Sequence, residues 1–408
     1  MTTIPTPEIS KLAQHIDKAA SQCVKCGLCL PYCPTYVLAE DENESPRGRI
    51  ALMQGAVREQ VPLTERLTYH IDTCLGCRGC ERVCPASVEY ADLLTSARTW
   101  LVQTKAQRPS LLERSLIFLM EHPRLRNFFK YFQNLPGIFK ISYFLNKNGS
   151  SSLCHPKGSE GSLGKKILIL SPCASTIFDT RTLTDAQLLL THLGFSVELA
   201  SPAYCCGALA LHAGELENAQ KCAQQQVTQW KTVKPDYIVT LASGCHSTLQ
   251  DYAKSPLNIS VPDIPLLTIE NFLVTVLQKN PYAFPALDQK IVVHIPCTLR
   301  NAVRTPNVGL ELLQNIPTLT CISLPNSVQC CGAAGTNFLR HPDIASALAA
   351  PMVDFIKQQN PDAWVTSNIG CALYVQQELK KQGVDIPVLH PVSVILQTLR
   401  KETSHQGI

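Results

Sequence analysis

Two cysteine runs of identical spacing constrain this chain more than any other feature of its sequence. Each run reads C-x2-C-x2-C-x3-C-P, and the members are Cys23, Cys26, Cys29 and Cys33 before Pro34, then Cys74, Cys77, Cys80 and Cys84 before Pro85. A short loop with this spacing directs three thiolates at one [4Fe–4S] cluster, and the fourth thiolate reaches the neighbouring cluster. Proline fixes φ where the chain leaves the crowded site. We therefore predict two [4Fe–4S] clusters.

The two predicted clusters exchange one ligand each, because the fourth cysteine of a run belongs to the cluster of the other run. The first ferredoxin-type set is then Cys23, Cys26, Cys29 and Cys84. The second ferredoxin-type set is Cys74, Cys77, Cys80 and Cys33. These eight residues are the predicted metal ligands.

Zinc and disulfides explain these cysteines less well. Zinc takes four ligands in a tetrahedron, which leaves eight thiols in two copies of the ferredoxin spacing without a reason. Disulfide frameworks are typical of small secreted domains, whereas this chain has 408 residues and begins without an export pattern. We expect a cytoplasmic protein, where thiols stay reduced and available to iron.

Length and landmarks predict an α+β multidomain chain. We expect an N-terminal α-helical two-cluster ferredoxin-type domain, followed by duplicated α/β domains with parallel sheets. The predicted segments are a cluster domain over 1–105, an amphipathic helical connector and linker over 106–165, and two cysteine-rich halves over 166–285 and 286–408. A formal net charge of +4 is small for this length and does not favour a nucleic-acid partner.

The long insert between the cysteine runs predicts helices. Ser45-Pro46 precedes a helical pattern, as expected for a capped helix with proline in its first turn. Arg47 and Arg49 lie in that turn, and we expect them to be solvated rather than to bond a cluster or a partner.

Residues 110–147 combine aromatic and basic side chains in an amphipathic pattern, with six of the twelve phenylalanines of the chain. Packing of the cluster domain onto the rest of the chain is the favoured interpretation. Docking of a partner and peripheral contact with a membrane surface stay open. Residues 146–165 are rich in Gly and Ser and predict a linker. No dinucleotide-binding fingerprint occurs in the chain, so we expect no flavin here.

From Lys166 the sequence repeats itself with offsets of 122 to 126 residues. Each copy opens with an aliphatic run before a cysteine, continues to a Cys-Cys-Gly triplet and a glycine-preceded cysteine, and closes with Ile-Pro-x-Leu. The first Cys-Cys-Gly set is Cys173, Cys205, Cys206 and Cys245, and the second Cys-Cys-Gly set is Cys297, Cys330, Cys331 and Cys371. Such constancy over several landmarks indicates duplication.

The alternation of strands and helices in each half predicts a parallel sheet. Ligand-bearing loops of such sheets lie past the carboxyl ends of the strands, which is where the repeated cysteines fall. Each half therefore gathers four thiols in one crevice.

In the order and length of these parts, the chain resembles the iron–sulfur subunit of bacterial glycolate dehydrogenase (glycolate oxidase). The resemblance rests on the two cysteine runs, the helical insert with Ser45-Pro46-Arg47-Gly48-Arg49, and the two Cys-Cys-Gly halves. Related architecture occurs in iron–sulfur subunits of lactate-utilisation enzymes and of anaerobic glycerol-3-phosphate dehydrogenase. The resemblance implies an electron-transfer subunit that drains an FAD-binding partner, which oxidises glycolate to glyoxylate, towards quinone or another acceptor.

Heterodisulfide reductase shares the Cys-Cys-Gly domain but ends it with C-x2-C. Here Cys245 and Cys371 have no such second cysteine. A third cluster, zinc, and free thiols all stay open for the two Cys-Cys-Gly sets. The missing cysteines argue against an enzyme acting on disulfides, and a redox sensor lacks a DNA-binding helix or basic patch. No catalytic acid or base is assigned to this chain.

Three cysteines and three histidines complete the candidates. Cys154, Cys222 and Cys321 have no counterpart in the repeat and are expected as small buried or surface thiols. His294 is expected to be packed or hydrogen-bonded rather than a ligand, whereas His212 and His246 are pocket residues only.

Overall fold

The computed structural model describes residues 7–132 and 164–405, with the exception of 326 and 329. Residues 133–163 lie outside the described residues, and they include the end of the predicted connector helices, most of the linker predicted over 146–165, and Cys154.

The cluster domain consists of helices joined by the cysteine loops. The helices are α1 (Pro7–Ala20), α2 (Pro34–Ala39), α3 (Pro46–Val57), α4 (Glu65–Asp72), α5 (Gly79–Arg82) and α6 (Tyr90–Gln103). The Ser45 side chain accepts a hydrogen bond from the Gly48 amide and so caps α3, with Pro46 at its first position. Apolar faces of these helices share one core, which includes Ile16, Met53, Leu67, Ile71, Leu93 and Leu101. The described residues of this domain contain no strand, as predicted.

The connector begins with two helices, α7 (Leu111–Glu121) and α8 (Pro123–Phe132). One face of α7 is buried through Ile117 and Met120. The buried Glu113 carboxylate bonds Thr336 of the second cysteine-rich half and lies 3.2 Å from Nε of Arg340. These contacts pack α7 against the cysteine-rich halves, whereas its opposite face leaves Leu111, Leu112 and Phe118 exposed. Packing of the cluster domain through this segment stays a prediction.

The first cysteine-rich half (166–285) alternates strands and helices. Its elements are β1 (Lys166–Leu170), α9 (Ser175–Phe178), α10 (Thr180–His192), β2 (Ser196–Leu199), α11 (Ala208–His212), α12 (Leu216–Val233), β3 (Tyr237–Thr240), α13 (Ser243–Gln250), β4 (Leu266–Thr268) and α14 (Ile269–Lys279).

The second cysteine-rich half (286–408) follows the same order. Its elements are β5 (Gln289–His294), a π-helical turn (Leu299–Val303), α15 (Val308–Gln314), β6 (Leu319–Ser323), α16 (Asn337–Arg340), α17 (Pro342–Gln359), β7 (Ala363–Thr366), α18 (Ile369–Lys381), β8 (Val388–Leu389) and α19 (Pro391–His405).

The two halves contain sheets of identical topology. The strand orders are β2-β1-β3-β4 and β6-β5-β7-β8, and every pairing is parallel. Equivalent positions pair in both sheets. Ile167 lies opposite Tyr237 in the first sheet, and its repeat counterpart Ile291 lies opposite Ala363 in the second. The predicted fold class is confirmed, since the parallel sheets follow the helical cluster domain.

The halves also share one hydrophobic core. Residues of both sheets belong to it, among them Ile167, Ile169, Ile291 and Val293. The C-terminal α19 packs against α10 of the first half, and Arg400 donates to Asp185 at 3.0 Å. The boundary predicted near 285 therefore divides two sequence repeats that pack around one common hydrophobic core. In the described part of the chain, no helix has the length and apolar character needed to cross a membrane.

Candidate metal centres

The first ferredoxin-type set lines one cavity near the surface of the cluster domain. All four of its thiols, including Cys84 from the other run, border about 450 Å³ of unfilled space that opens to solvent. Gly27 has a φ of +83° in the loop, and an added Cβ would lie 2.7 Å from Nη1 of Arg47. Glycine therefore allows the loop to wrap tightly around this cavity.

The second ferredoxin-type set lines a neighbouring, deeper cavity. Its four thiols, including Cys33 from the other run, border about 310 Å³ of unfilled space. Pro46, Cys80 and Tyr90 border both cavities. Each cavity thus collects three thiols from one run together with the fourth thiol of the other run, and Cys80 lies in the wall that the two cavities share.

Burial makes the free thiolate unfavourable at two of these sulfurs. Desolvation raises the pKa of Cys29 to about 11 and the pKa of Cys80 well above its ordinary value. A buried thiolate needs a positive partner, and a metal centre is the partner that this donor set suits. Cysteine-only ligands fit iron–sulfur clusters and zinc better than hard cations.

The prediction that Arg49 is solvated is wrong. Its guanidinium is 1% exposed and donates to Thr35 Oγ1 at 2.9 Å, to the His70 carbonyl at 2.6 Å and to the Glu44 carboxylate. Its Nη1 atom also lies 3.8 Å from Sγ of Cys33. The partners of Arg49 come from other segments of the chain, so its place at the start of α3 gave no signal that it points inwards.

Arg47 is closer to its expected setting. It is partly exposed, pairs with Glu42 at 2.6 Å, and donates to the Lys25 carbonyl at 3.2 Å in the first cysteine loop. A second buried cation, Arg98, donates to the Cys74 carbonyl at 2.6 Å. The second ferredoxin-type set therefore has two buried guanidinium groups beside its backbone and sulfurs.

The first Cys-Cys-Gly set is buried at the carboxyl edge of its sheet. Sγ of Cys205 lies 3.8 Å from Sγ of Cys173 and accepts the Gly207 amide at 3.4 Å. Hydrogen bonds that the Cys205 thiol shares with neighbouring sulfurs raise its pKa, and those sulfurs belong to Cys173, Cys206 and Cys222. Cys222 is buried, as predicted, and its thiol lies beside that of Cys205. Its position on α12, outside the repeat landmarks, gave no signal of this proximity.

The second Cys-Cys-Gly set occupies the equivalent edge. Sγ atoms of Cys331 and Cys371 are 2.8 Å apart, and the Gly332 amide donates to Cys330 at 3.3 Å. Burial raises the pKa of Cys297 to about 12. The repeat thus brings its four cysteines together in both halves.

The second Cys-Cys-Gly set also meets the cluster domain. Asn301 donates to the Cys77 carbonyl at 2.8 Å and accepts from Arg82 at 3.1 Å. Burial is the main cause that raises the pKa of Cys77 well above its ordinary value, and the nearby charge of Cys297 is the next largest cause. Sequence reasoning missed this contact, because Cys77 and Asn301 are separated by more than two hundred residues.

The histidines take structural positions. His294 is buried, bonds Thr366 Oγ1 at 2.9 Å and stacks on Trp364, which confirms the predicted packed imidazole. His246 bonds Thr240 Oγ1 at 3.0 Å. His212 packs against Gly76 of the second cysteine loop. Cys321 is half-buried in β6.

Among the described residues, no group of three or more His, Cys, Asp or Glu side chains is arranged around a single metal ion. A four-iron cluster holds its ligands farther apart than one ion does, so the cavities that the thiols line are the relevant geometry for clusters.

Family comparisons match the same parts of the chain. A model of the 4Fe–4S dicluster domain matches residues 19–88. A model of the cysteine-rich domain matches twice, over 167–250 and 291–376. The duplication inferred from the cysteine offsets is thereby confirmed.

Curated relatives match over most of their length. The glycolate oxidase iron–sulfur subunit of Escherichia coli K12 is 30% identical, with 98% of this chain and 100% of that protein covered. The probable glycolate oxidase iron–sulfur subunit of Bacillus subtilis 168 is 25% identical, with 94% of each chain covered. Lactate utilization protein A of Geobacillus sp. WCH70 is 24% identical over 56% of this chain and 98% of that protein.

Proposed function

The chain belongs to the family of glycolate oxidase iron–sulfur subunits, and from this premise we propose that it carries electrons away from a flavin-bearing dehydrogenase subunit. The proposed reaction of the partner is oxidation of glycolate to glyoxylate, and the proposed acceptor is a quinone or another electron carrier. The observation that supports this role most directly is the pair of adjacent cavities, which share one wall and are each lined by all four thiols of one ferredoxin-type set.

The proposed ligands are those of the two ferredoxin-type sets. Bound [4Fe–4S] clusters would supply one-electron steps, which a two-electron flavin needs in order to be emptied. The residues of the chain hold these groups and adjust their surroundings. Cys26 is exposed at the first cavity, so this end is open to a partner.

The second cavity is shielded and carries more positive charge. Arg49 is held by Glu44 and by backbone carbonyls, so its charge cannot swing away from Cys33. Arg98 fixes the backbone at Cys74 in the same manner. Hydrogen bonds and buried cations near cluster sulfurs are known means of setting potential. We propose that these arginines position the second cluster and raise its potential.

A second candidate is the same role for lactate. The similarity to a lactate utilization protein supports it over the part of the chain that matches. Both candidates leave substrate choice to the flavin subunit, so they differ in partner and agree in what this chain does. We propose a cytoplasmic location with peripheral membrane contact as the setting for either role.

The decisive experiment reconstitutes the anaerobically purified full chain with its cognate flavin subunit. Glycolate is added, and reduction of the iron–sulfur centres is followed by EPR. We expect glycolate-dependent signals that vanish when the flavin subunit is omitted. Reduction by lactate and not by glycolate would select the second candidate. An iron-free chain, or iron–sulfur centres that neither substrate reduces through the flavin subunit, would refute the electron-transfer role.

A further inference from the structure

A third cavity lies between the cluster domain and the first cysteine-rich half, and we call it the interdomain cavity. One wall comes from the second cysteine loop and α6, through Gly76, Thr95 and Arg98, and the other wall comes from α11 and α13, through Leu211 and Thr248. It has about 940 Å³ of unfilled space that opens to solvent, against about 450 Å³ and 310 Å³ for the two thiol-lined cavities. A small molecule can therefore enter it from solvent.

The second cysteine-rich half has a large side chain at the equivalent position. The offset of 126 residues that relates Cys245 to Cys371 places Tyr374 at the position of Thr248. Tyr374 is buried, and its ring centroid lies 5.5 Å from that of Phe338. Thr248 is only partly buried and borders the open space. A small side chain in the first half thus leaves room at a position that its repeat counterpart fills.

Most charged groups at the interdomain cavity are already paired. Arg78 lies 2.6 Å from the carboxylates of both Glu81 and Asp251, and Lys254 lies 2.7 Å from Asp251. Glu89 is exposed to solvent at the border of the cavity. The cavity therefore has no strong excess of charge of either sign, and it suits a neutral ligand better than a polyanion.

Two buried polar atoms beside the cavity have no hydrogen-bond partner in the part of the chain that the structure describes. They are Nε of Arg98, a residue that is 4% exposed, and Oδ1 of Asp92. Both residues border the cavity. Because buried polar groups are normally hydrogen-bonded, we expect a ligand that offers a carbonyl oxygen to Arg98 and a hydroxyl group to Asp92.

Apolar side chains complete the walls of the interdomain cavity. They come from both domains, and they are Leu94, Ala208, Leu211, Pro256 and Leu257. A ligand pocket with mostly apolar walls and a few placed polar groups favours an organic molecule with a ring and a small number of oxygens.

The interdomain cavity also touches the loop of the second ferredoxin-type set. Gly76 borders the cavity and lies between Cys74 and Cys77, and an added Cβ there would lie 2.9 Å from Cε1 of His212. Arg98 donates to the Cys74 carbonyl at 2.6 Å. The same arginine therefore lies beside the cavity and beside the cysteine loop, so a bound molecule would be a neighbour of the second centre.

We infer that the interdomain cavity binds the headgroup of a quinone, which takes up the electrons that leave the second ferredoxin-type centre. The inference rests on the proposed electron-transfer function and gives that function an acceptor site. A quinone is neutral, has a flat ring for the apolar walls, and carries carbonyl oxygens that become hydroxyl groups on reduction. It can therefore accept from Arg98 before reduction and donate to Asp92 afterwards.

Reduction of a quinone to a quinol takes two electrons and two protons, and both carbonyl groups become hydroxyl groups. The second ferredoxin-type centre supplies the electrons one at a time and is oxidised at each step. Oδ2 of Asp92 lies 2.5 Å from Nε2 of His15, whose side chain is 37% exposed. Both protons thus come from solvent, through His15 and Asp92.

The first test is binding to the anaerobically purified full chain in its oxidised state. Calorimetric titrations with a short-chain benzoquinone and a short-chain naphthoquinone show which ring class is preferred. A photoreactive quinone of the preferred class is then crosslinked, and the labelled peptides are identified by mass spectrometry. We expect crosslinks on α6, α11 or α13 that an excess of the unlabelled quinone suppresses.

The second test fills the interdomain cavity. Thr248→Tyr introduces the side chain that the repeat uses at the equivalent position, and Thr95→Tyr fills the cavity from the opposite wall. Each substitution should weaken quinone binding by at least about tenfold. Thr248→Val is the control, because it keeps the size of the side chain and should bind quinone as the wild type does. Iron content at the wild-type level shows that a variant has folded.

The third test concerns proton delivery. Asp92→Asn should retain quinone binding but slow re-oxidation of the pre-reduced chain by quinone by about a hundredfold. Its re-oxidation by ferricyanide, which takes up no proton, should be unchanged. Glu89→Gln is the control at the border of the cavity and should leave both rates unchanged. Equal rates for Asp92→Asn and the wild type with quinone would overturn the proton role of Asp92.

The quinone site itself is overturned by any of three results: no saturable binding of either quinone, crosslinks confined to other parts of the chain, or wild-type affinity in a folded cavity-filling variant. Each of these results leaves the proposed function standing as long as glycolate still reduces the iron–sulfur centres through the flavin subunit. Centres that are absent, or that the flavin subunit does not reduce, would instead refute the proposed function.

Discussion

Nη1 of Arg49 lies 3.8 Å from Sγ of Cys33, within a guanidinium that is 1% exposed. The same guanidinium pairs with Glu44, whose carboxylate also accepts from Thr73 Oγ1 at 2.7 Å and lies 2.6 Å from Nδ1 of His70. A buried cation is thus held against the one ligand that the first cysteine run contributes to the second cavity.

Replacement of Arg49 by Met should lower the potential of the second centre and destabilise the cluster domain. A positive charge favours the more negative, reduced cluster, and its loss also leaves Glu44 buried without its cation, which costs about 3–5 kcal/mol. The measurements are a potentiometric EPR titration and the midpoint of anaerobic denaturant unfolding.

The control for Arg49 is Arg47→Met. Arg47 pairs with Glu42 in a partly exposed position, where such pairs contribute at most about 1 kcal/mol. Equal effects of the two substitutions on potential and stability would contradict the assignment of the tuning role to Arg49.

Substitution of the fourth cysteine of either run should remove one of the two proposed clusters and leave the other. Cys84→Ser should remove about four irons and leave the centre that responds to Arg49→Met, because Cys84 lines the first cavity. Cys33→Ser should remove the centre that responds to Arg49→Met. Potentials of the surviving centres, measured with and without Arg49→Met, identify them. The reverse result would mean that each run binds its own cluster with all four thiols.

Gly332→Ala should destabilise the second cysteine-rich half strongly. The residue has a φ of +83°, and a Cβ there would lie 2.2 Å from the Ala345 carbonyl oxygen of α17. Gly383→Ala is the control, since Gly383 has a φ of +75° and no atom within 4 Å of an added Cβ. Gly383→Ala should lower the free energy of unfolding by only about 1–2 kcal/mol, because alanine disfavours the left-handed backbone conformation. Thermal unfolding monitored by circular dichroism compares the two variants. A smaller loss of stability in Gly332→Ala than in Gly383→Ala would show that α17 moves to accommodate the added methyl group.

His294 should make stability depend on pH. Burial lowers the pKa of His294 to about 3, whereas an unfolded histidine has a pKa of about 6.5. Below pH 6.5 the unfolded chain binds a proton that the folded chain does not, so this residue reduces stability as pH falls, by about 1.4 kcal/mol per unit. Burial lowers the pKa of His212, His246 and His390 as well, so His294→Gln should reduce, without abolishing, the fall of the unfolding midpoint between pH 7.5 and pH 5.5.

Thr366→Val serves as the control for His294. It removes the hydrogen bond to Nδ1 and keeps the buried imidazole. It should lower stability at both pH values and retain the slope. An unchanged slope in His294→Gln would show that another group causes the pH dependence.

Local spacing was sufficient to predict several parts of the site. The C-x2-C-x2-C-x3-C-P runs place three thiols on one short loop, and that loop is the wall of one cavity in each case. Ser45-Pro46 predicted the start of α3, since its capping bond forms within four residues. The repeat offsets predicted two sheets, and both have the same parallel order.

Cys222 and Arg49 show where that reasoning ended. Cys222 lies on α12 without a repeat partner, yet it reaches Cys205. The sequence places Arg49 as a charge at the start of a helix, yet its partners come from three separate segments.

The sequence by itself determined which cysteines form sets, that the chain is duplicated, and that its halves are parallel α/β units, because these features depend on spacings within short segments and on repetition. Only the tertiary structure decided what each set faces. Asn301 touches the loop of Cys77, whereas Ile177 at the equivalent place touches Met120. Contacts between segments hundreds of residues apart follow from how whole domains pack, and no local period or motif encodes that choice.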